Sequence, residues 1–155
     1  MTVDGYCRRG DTVSANKLSE VLGGEKVLGK RIRNDLDLIE LSRRGVSKSA
    51  LSHLAKSLGL STPAMARMLP ITERTIQRYK AKTLFKPSVS EHILELAGLV
   101  ARGTEVFGER SLFLKWMQRP TRALGNRTPG ELLDSTFGIG MVMDELGRIE
   151  HGIVS

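Results

Sequence analysis

The chain has little of what catalytic, secreted or membrane proteins are built from. One cysteine, Cys7, stands among 155 residues, which excludes an internal disulfide and a cysteine-based metal cluster. No apolar run approaches the roughly 18 residues needed to cross a bilayer, and the N-terminus carries no signal-peptide apolar core. The expectation is a cytoplasmic protein with no membrane partner. His53, His92 and His151 share no metal-ligand spacing. No convincing strand alternation occurs, so no glycine-rich phosphate loop follows a strand. Asp144 and Glu145 are adjacent, which on a helix points them in different directions and makes a poor acid–base pair. Fixed-period repeats and low-complexity tracts are also missing. These absences predict a protein that is not an enzyme and uses neither cofactor nor metal.

What is present is charge, unevenly placed. Hydrophobic content of 40% and charged content of 26% are ordinary for a globular chain long enough for one good core or two small ones. Net charge is +7. Residues 1–87 hold 17 Lys/Arg against 8 Asp/Glu, a net of +9, whereas residues 88–155 hold 7 against 9, a net of −2. A basic front and a slightly acidic back suggest different partners for the two parts, and the basic part has the footprint of a nucleic-acid binder.

Apolar residues recur at helical spacing almost throughout. Ala15, Leu18, Val21 and Leu22 form a stripe stopped by Gly23-Gly24. Leu36, Leu38, Ile39 and Leu41 follow Asn34, a good N-cap, and end at Gly45. Ser47 caps a helix with Leu51, Leu54, Ala55 and Leu58 on its apolar face, closed by Gly59. A break falls at Lys86-Pro87-Ser88, where proline prevents simple continuation of a helix. Beyond it, Ile93, Leu96, Ala97 and Val100 make a stripe expected to end at Gly103, and Leu112, Leu114, Trp116 and Met117 make another, stopped before Pro120. The fold class is all-α. Three regions follow: an N-terminal helical extension over 1–33, a helix-turn-helix domain over 34–87 and a small helical domain over 88–155.

Between Leu60 and Lys82 the pattern is that of a helix-turn-helix. Thr62 is expected to cap a first helix opened by Pro63. Met65, Ala66 and Leu69 face inward, Ile71 fills the turn, and Ile76 and Tyr79 face inward from the second helix, which Thr72 caps. Ala66 is small where two steeply crossed helices come closest. Glu73, Arg74, Gln77 and Arg78 point outward. Arginine offers two donors to guanine and glutamine pairs with adenine, so these residues suit the major groove. Lys80, Lys82 and Lys86 follow, placed to neutralise phosphates. The DNA-binding candidates are Ser61, Thr72, Arg74, Thr75, Gln77, Arg78, Lys80 and Lys82. Pro70 occupies the turn position where Xre/Cro-type motifs usually carry glycine. Proline cannot adopt the positive φ that glycine serves there, so the turn must follow another local path.

The last fifty residues read first as scaffold. Trp116, Phe107 and Phe113 are core anchors by their apolar spacing. Thr128-Pro129-Gly130-Glu131 is a capping box, with Pro129 opening a short helix, Leu132 and Leu133 turned to a core, and Gly138 ending it. In the final helix Val142, Leu146 and Ile149 form a docking stripe. Arg148, Glu150 and His151 lie off it, and Gly152, Ile153 and Val154 follow without a further helix to cover them.

The order Trp116, Pro120, Leu124, Thr128 to Asp134 and Gly147 to Ile153 closely resembles the toxin-binding domain of Xre/MbcA/ParS-type antitoxins. Arg44 to Ser47, Ala55, Leu58 to Ser61 and Arg74 to Arg78 resemble the front half of the same antitoxins. Residues 1–33 lie outside the resemblance. It implies an antitoxin of a toxin–antitoxin system whose partner is a RES-type toxin, linked in that family to NAD⁺ degradation. The C-terminal end, Arg148, Glu150, His151, Gly152, Ile153 and Val154, is implied to reach the toxin and obstruct its substrate site, where an arginine can occupy phosphate or carboxylate positions. A homodimer on an inverted-repeat operator is expected, because one helix-turn-helix reads only a few base pairs. Two other readings stay open: a stand-alone repressor whose C-terminal domain oligomerises, and an adaptor that presents its basic face to an acidic protein.

Overall fold

One long helix organises the chain. The computed structural model describes residues 12–152, in the order α1 (Thr12–Val21), α2 (Glu25–Leu28), α3 (Asp35–Arg44), α4 (Lys48–Leu58), α5 (Thr62–Met68), α6 (Glu73–Arg78), α7 (Pro87–Phe107), α8 (Arg110–Met117), two short 3₁₀ turns (Arg122–Leu124 and Pro129–Leu132) and α9 (Thr136–Glu150). Among the described residues the only extended pairings are the isolated bridges Ser47–Leu84 and Thr121–Arg127, and the class is all-α. Over its 21 residues α7 buries Val89, Ile93, Leu94, Leu96, Leu99 and Val100. A helix apolar on so many sides must be covered all round. Helices α1, α3 and α4 pack on it from the earlier part of the chain, and α8 and α9 from the later part.

Local chemistry sets most of the helix starts. Asn34 Oδ1 accepts the Asp37 amide at 3.1 Å, Ser47 Oγ that of Ala50 at 3.3 Å and Ser135 Oγ that of Gly138 at 3.0 Å. Each satisfies one N–H that a helix start leaves without a partner. The first helix of the helix-turn-helix is capped by Ser61, whose Oγ accepts the Ala64 amide, and not by Thr62, which lies within the first turn. Pro63 is tolerated there because the first turn needs no amide donors. The Thr128–Glu131 capping box forms as expected: Glu131 Oε2 accepts from the Thr128 amide at 2.7 Å, and Thr128 Oγ1 from the Glu131 amide at 3.3 Å.

Two glycines expected to end helices are packing devices instead. Helix α7 runs through Gly103 and stops only at Gly108, whose φ is 82°. A Cβ on Gly103 would lie 2.1 Å from the Phe113 ring, so the missing side chain is what lets α8 lie against α7. Gly138 likewise sits inside α9, where a Cβ would fall 1.7 Å from the Leu132 carbonyl oxygen. The sequence-based stripes also need two amendments: Leu36 is 68% exposed while Leu38 and Leu41 are buried, and Leu112 is exposed while Phe113 is buried.

The described part of the N-terminal extension belongs to the core. Ala15, Leu18, Leu22, Leu28 and Ile32 are buried, with α1 on α7. Asp37, itself buried, fastens the segment before α3. Its carboxylate accepts from the Arg33 amide at 2.8 Å and lies 3.1 Å from Lys30 Nζ. The Arg33 amide bond first, and then Lys30, hold its pKa at about 2. The stretch after α6 is equally tied: the Lys48 amide donates to Thr83 O, that of Ser49 to Ala81 O and that of Phe85 to Val46 O, at 2.9–3.0 Å. Ser90 Oγ bridges the Val46 amide and the Phe85 carbonyl at the start of α7.

Candidate functional site

The helix-turn-helix is closed by its apolar residues. Met65, Leu69 and Ile76 are buried, Ala66, Ile71 and Tyr79 partly so, and Tyr79 stacks on Phe85 with ring centroids 5.3 Å apart. The turn takes a path that proline allows. Leu69 is extended (φ −114°, ψ 151°), and the Ile71 amide donates to its carbonyl at 2.8 Å, closing tightly over Pro70. No residue in this turn has positive φ.

Helix α6 presents its polar side outward. Arg74, Gln77 and Arg78 are exposed, as are Lys80, Lys82 and Lys86 beyond it. None of these cations forms an ion pair with another described residue. Thr72 and Thr75 are partly committed to the helix itself: Thr72 Oγ1 accepts the Thr75 amide at 3.2 Å and lies 2.9 Å from Thr75 Oγ1. Gln77 Nε2 donates to Glu73 Oε1 at 2.9 Å, which orients the amide along the helix. Ser61, through its cap, starts α5. One residue escaped the sequence reading: Lys48 Nζ donates to the Tyr79 carbonyl at 2.8 Å, placing a cation at the C-terminal end of α6. A lysine at a helix start carries no local sign of a tertiary cap 31 residues away.

The C-terminal candidates divide. Arg148 Nε lies 3.1 Å from Glu145 Oε2, whose carboxylate is buried, so this arginine already balances an internal charge. Glu150 accepts from both terminal guanidinium nitrogens, Nη1 and Nη2, of Arg102 on α7. His151 is exposed at the end of α9 and Gly152 follows in left-handed conformation. Ile153 and Val154 lie outside the described residues. The scaffold candidates take these places: Leu133 and Pro129 are buried, Leu132 is partly buried, and Trp116 is half-buried beside Phe107 and Phe113 at centroid distances of 5.5 and 6.3 Å. His92 is buried, with Nε2 2.9 Å from the Leu133 carbonyl. Among the described residues no group of His, Cys, Asp and Glu could hold a metal ion, and no helix is long and apolar enough to cross a membrane.

This arrangement, a helix-turn-helix followed by a capped helical domain on a shared α7, has a match on each side. Residues 37–98 match the antitoxin Xre-like helix-turn-helix domain, and residues 102–152 match the antitoxin Xre/MbcA/ParS C-terminal toxin-binding domain. The chain belongs to the Xre/MbcA/ParS-type antitoxins. An antitoxin Xre of Yersinia enterocolitica is 27% identical over 120 residues, covering 76% of this chain and 81% of the relative. A Prs ADP-ribosylating antitoxin of a Sphingobium strain is 27% identical over 127 residues, covering 76% and 80%. The crystal structure of the M. tuberculosis MbcT–MbcA toxin–antitoxin complex contains a chain of the same fold, with a TM-score of 0.54 and 21% identity over 70% of this chain and 96% of that one. The boundary between the two matched domains falls within α7, so one continuous helix belongs to both parts of the antitoxin.

Proposed function

We propose that this antitoxin neutralises a RES-type, NAD⁺-degrading toxin and represses its own operon. The end of α9 and the segment after it, Arg148 to Val154, cover the toxin's nucleotide site. A homodimer sets two copies of α6 in successive major grooves of an inverted repeat, with Arg74, Gln77 and Arg78 on base edges and Lys80 and Lys82 on phosphates. The observation that carries the reading is the concentration, on and after α6, of exposed cations with no ion-pair partner among the described residues, in a chain whose other part matches a toxin-binding domain.

The test is co-expression with the adjacent reading frame. Toxin alone is expected to arrest growth and deplete NAD⁺, and the antitoxin to restore both. A neighbour that is harmless, or that does not copurify with the antitoxin, removes the toxin part of the reading. Absence of gel retardation on its own promoter at moderate salt removes the DNA part.

The Sphingobium relative supports a second toxin chemistry, transfer of ADP-ribose from NAD⁺ to a protein. Both chemistries release nicotinamide. Hydrolysis leaves free ADP-ribose, whereas transfer leaves a modified protein, so mass spectrometry of the intoxicated lysate separates them.

A further inference from the structure

The outward face of α9 begins well before the residues assigned above to the toxin. At 100° per residue, Phe137, Gly140, Met141, Asp144, Gly147 and His151 fall opposite the buried Ile139, Val142 and Leu146. Phe137 is 89% exposed and Met141 44%, and a spacing of four residues makes them neighbours on the helix surface. The glycines of this helix sort by role. Gly138 is required by the Leu132 carbonyl, but a Cβ on Gly140 or Gly147 would meet nothing within 4 Å. Glycine weakens a helix relative to alanine, and the packing of this chain asks for neither of these two. Seven residues apart, they bare the backbone twice on one face, where another polypeptide can approach closely.

We infer that the toxin seats along this whole face, from Phe137 to His151, a strip roughly 20 Å long, and not on the terminal segment alone. The inference rests on the antitoxin reading above. Phe137 is the anchor, entering an apolar pocket of the toxin, and a toxin helix or strand lies against Gly140 and Gly147. Continuity names the occupant. All of α9 lies within the part that matches the toxin-binding domain, and the strip ends at Arg148 and His151, residues already assigned to the toxin. A second copy seated on the strip would close that end to the toxin. Charge agrees: with Arg148 balanced by Glu145, Asp144 is the remaining carboxylate on an otherwise largely apolar face, and an anion there suits a protein and not nucleic acid.

The experiment uses the full antitoxin and the toxin encoded beside it, with Phe137→Ser and Gly140→Leu. Phe137 covers almost nothing in the free antitoxin, so its replacement leaves the melting temperature unchanged. Leucine is a strong helix former on an open face, so Gly140→Leu raises it by about 2–3 °C. Each variant is expected to weaken toxin binding about 30-fold or more and to lose growth rescue. Operator retardation is unaffected. Binding by both variants within about threefold of the parent overturns the inference. If only truncation after Leu146 weakens binding, the antitoxin reading stands and this inference alone falls. If the parent binds no toxin, both fall. A change in sedimenting mass with toxin binding intact assigns the face to a second copy and also overturns it.

Discussion

Helices α6 and α9 both start at a side-chain hydroxyl cap and both bury one apolar edge, yet their outward residues are arranged in opposite ways. On and after α6 the exposed charged groups are cations with no ion-pair partner among the described residues. On α9 two of the charges are paired from within, Arg148 by Glu145 and Glu150 by Arg102, and what remains outside is mostly a phenyl ring, a methionine and bare glycine backbone, with Asp144 and His151 among them. An unpaired cation retains its full attraction for a polyanion, whereas an internally neutralised face can be dehydrated by a protein at lower cost. The two faces therefore differ in the class of partner they suit. They remain mechanically joined, because α7 packs against elements of both parts.

The sharpest way to break this contrast is to disable one face at a time. Arg74→Ala with Arg78→Ala is expected to weaken operator binding by roughly 100-fold or more, given that a good bidentate base contact is worth about 1–3 kcal/mol. Toxin neutralisation should survive. Truncation after Leu146 should do the reverse, restoring toxicity while retardation persists. If gel shift and growth assays show each change damaging both activities, the faces are not separable.

Within α9 the contrast is between inside and outside. Gly138→Ala forces a Cβ into backbone and is expected to cost about 3 kcal/mol. Gly140→Ala is expected to stabilise by about 0.5–1 kcal/mol. Thermal melts of the two variants, two residues apart, should move in opposite directions.

Two buried-edge carboxylates predict opposite responses to pH. Burial first, and Glu91 second, raise the Glu95 pKa from 4.5 to about 7. A raised carboxylate favours folding while protonated, and that contribution disappears as pH rises from 4.5 to about 7. Glu95→Gln should therefore raise the melting temperature at pH values above that window and change little below it. Asp37, lowered from 3.8 to about 2, stabilises above its unfolded value and loses that contribution as pH falls through the folded one. Asp37→Asn should destabilise near neutrality and have progressively less effect in acid. Melting curves across the acid range check both signs.

The smallest effect expected is on salt dependence. Lys80→Ala and Lys82→Ala should each lower the slope of log affinity against log salt by about 1 without changing base preference. A change in preference would move these lysines from phosphates to bases.

Features whose partners lie within one helical turn were legible in the residues alone: Asn34, Ser47, Thr72 and the Thr128–Glu131 box all cap as their spacing indicates. The cap one residue from its expected place, Ser61 for Thr62, is a choice between two adjacent hydroxyls. Gly103 and Gly138 were misread because a glycine that ends a helix and one that admits a neighbour look identical in one dimension. Only Phe113 and the Leu132 carbonyl, brought there by packing, separate the two cases. Leu36 follows the same logic, since hydrophobicity says that a side chain prefers burial and not that a neighbour has arrived to bury it.

By itself the sequence determined the all-α class, the helix-turn-helix, the segregation of charge and the antitoxin resemblance, because periodicity, capping and composition are properties of neighbouring residues. Tertiary structure alone decided that α1 and the segment down to Ile32 complete the core, that α7 belongs to both parts and that Lys48 closes the end of α6. It also decided which residues of α9 remain outward: Arg148 and Glu150 drawn into ion pairs, Phe137 left uncovered. Each of these depends on which distant side chains meet, and chain spacing does not encode that distance.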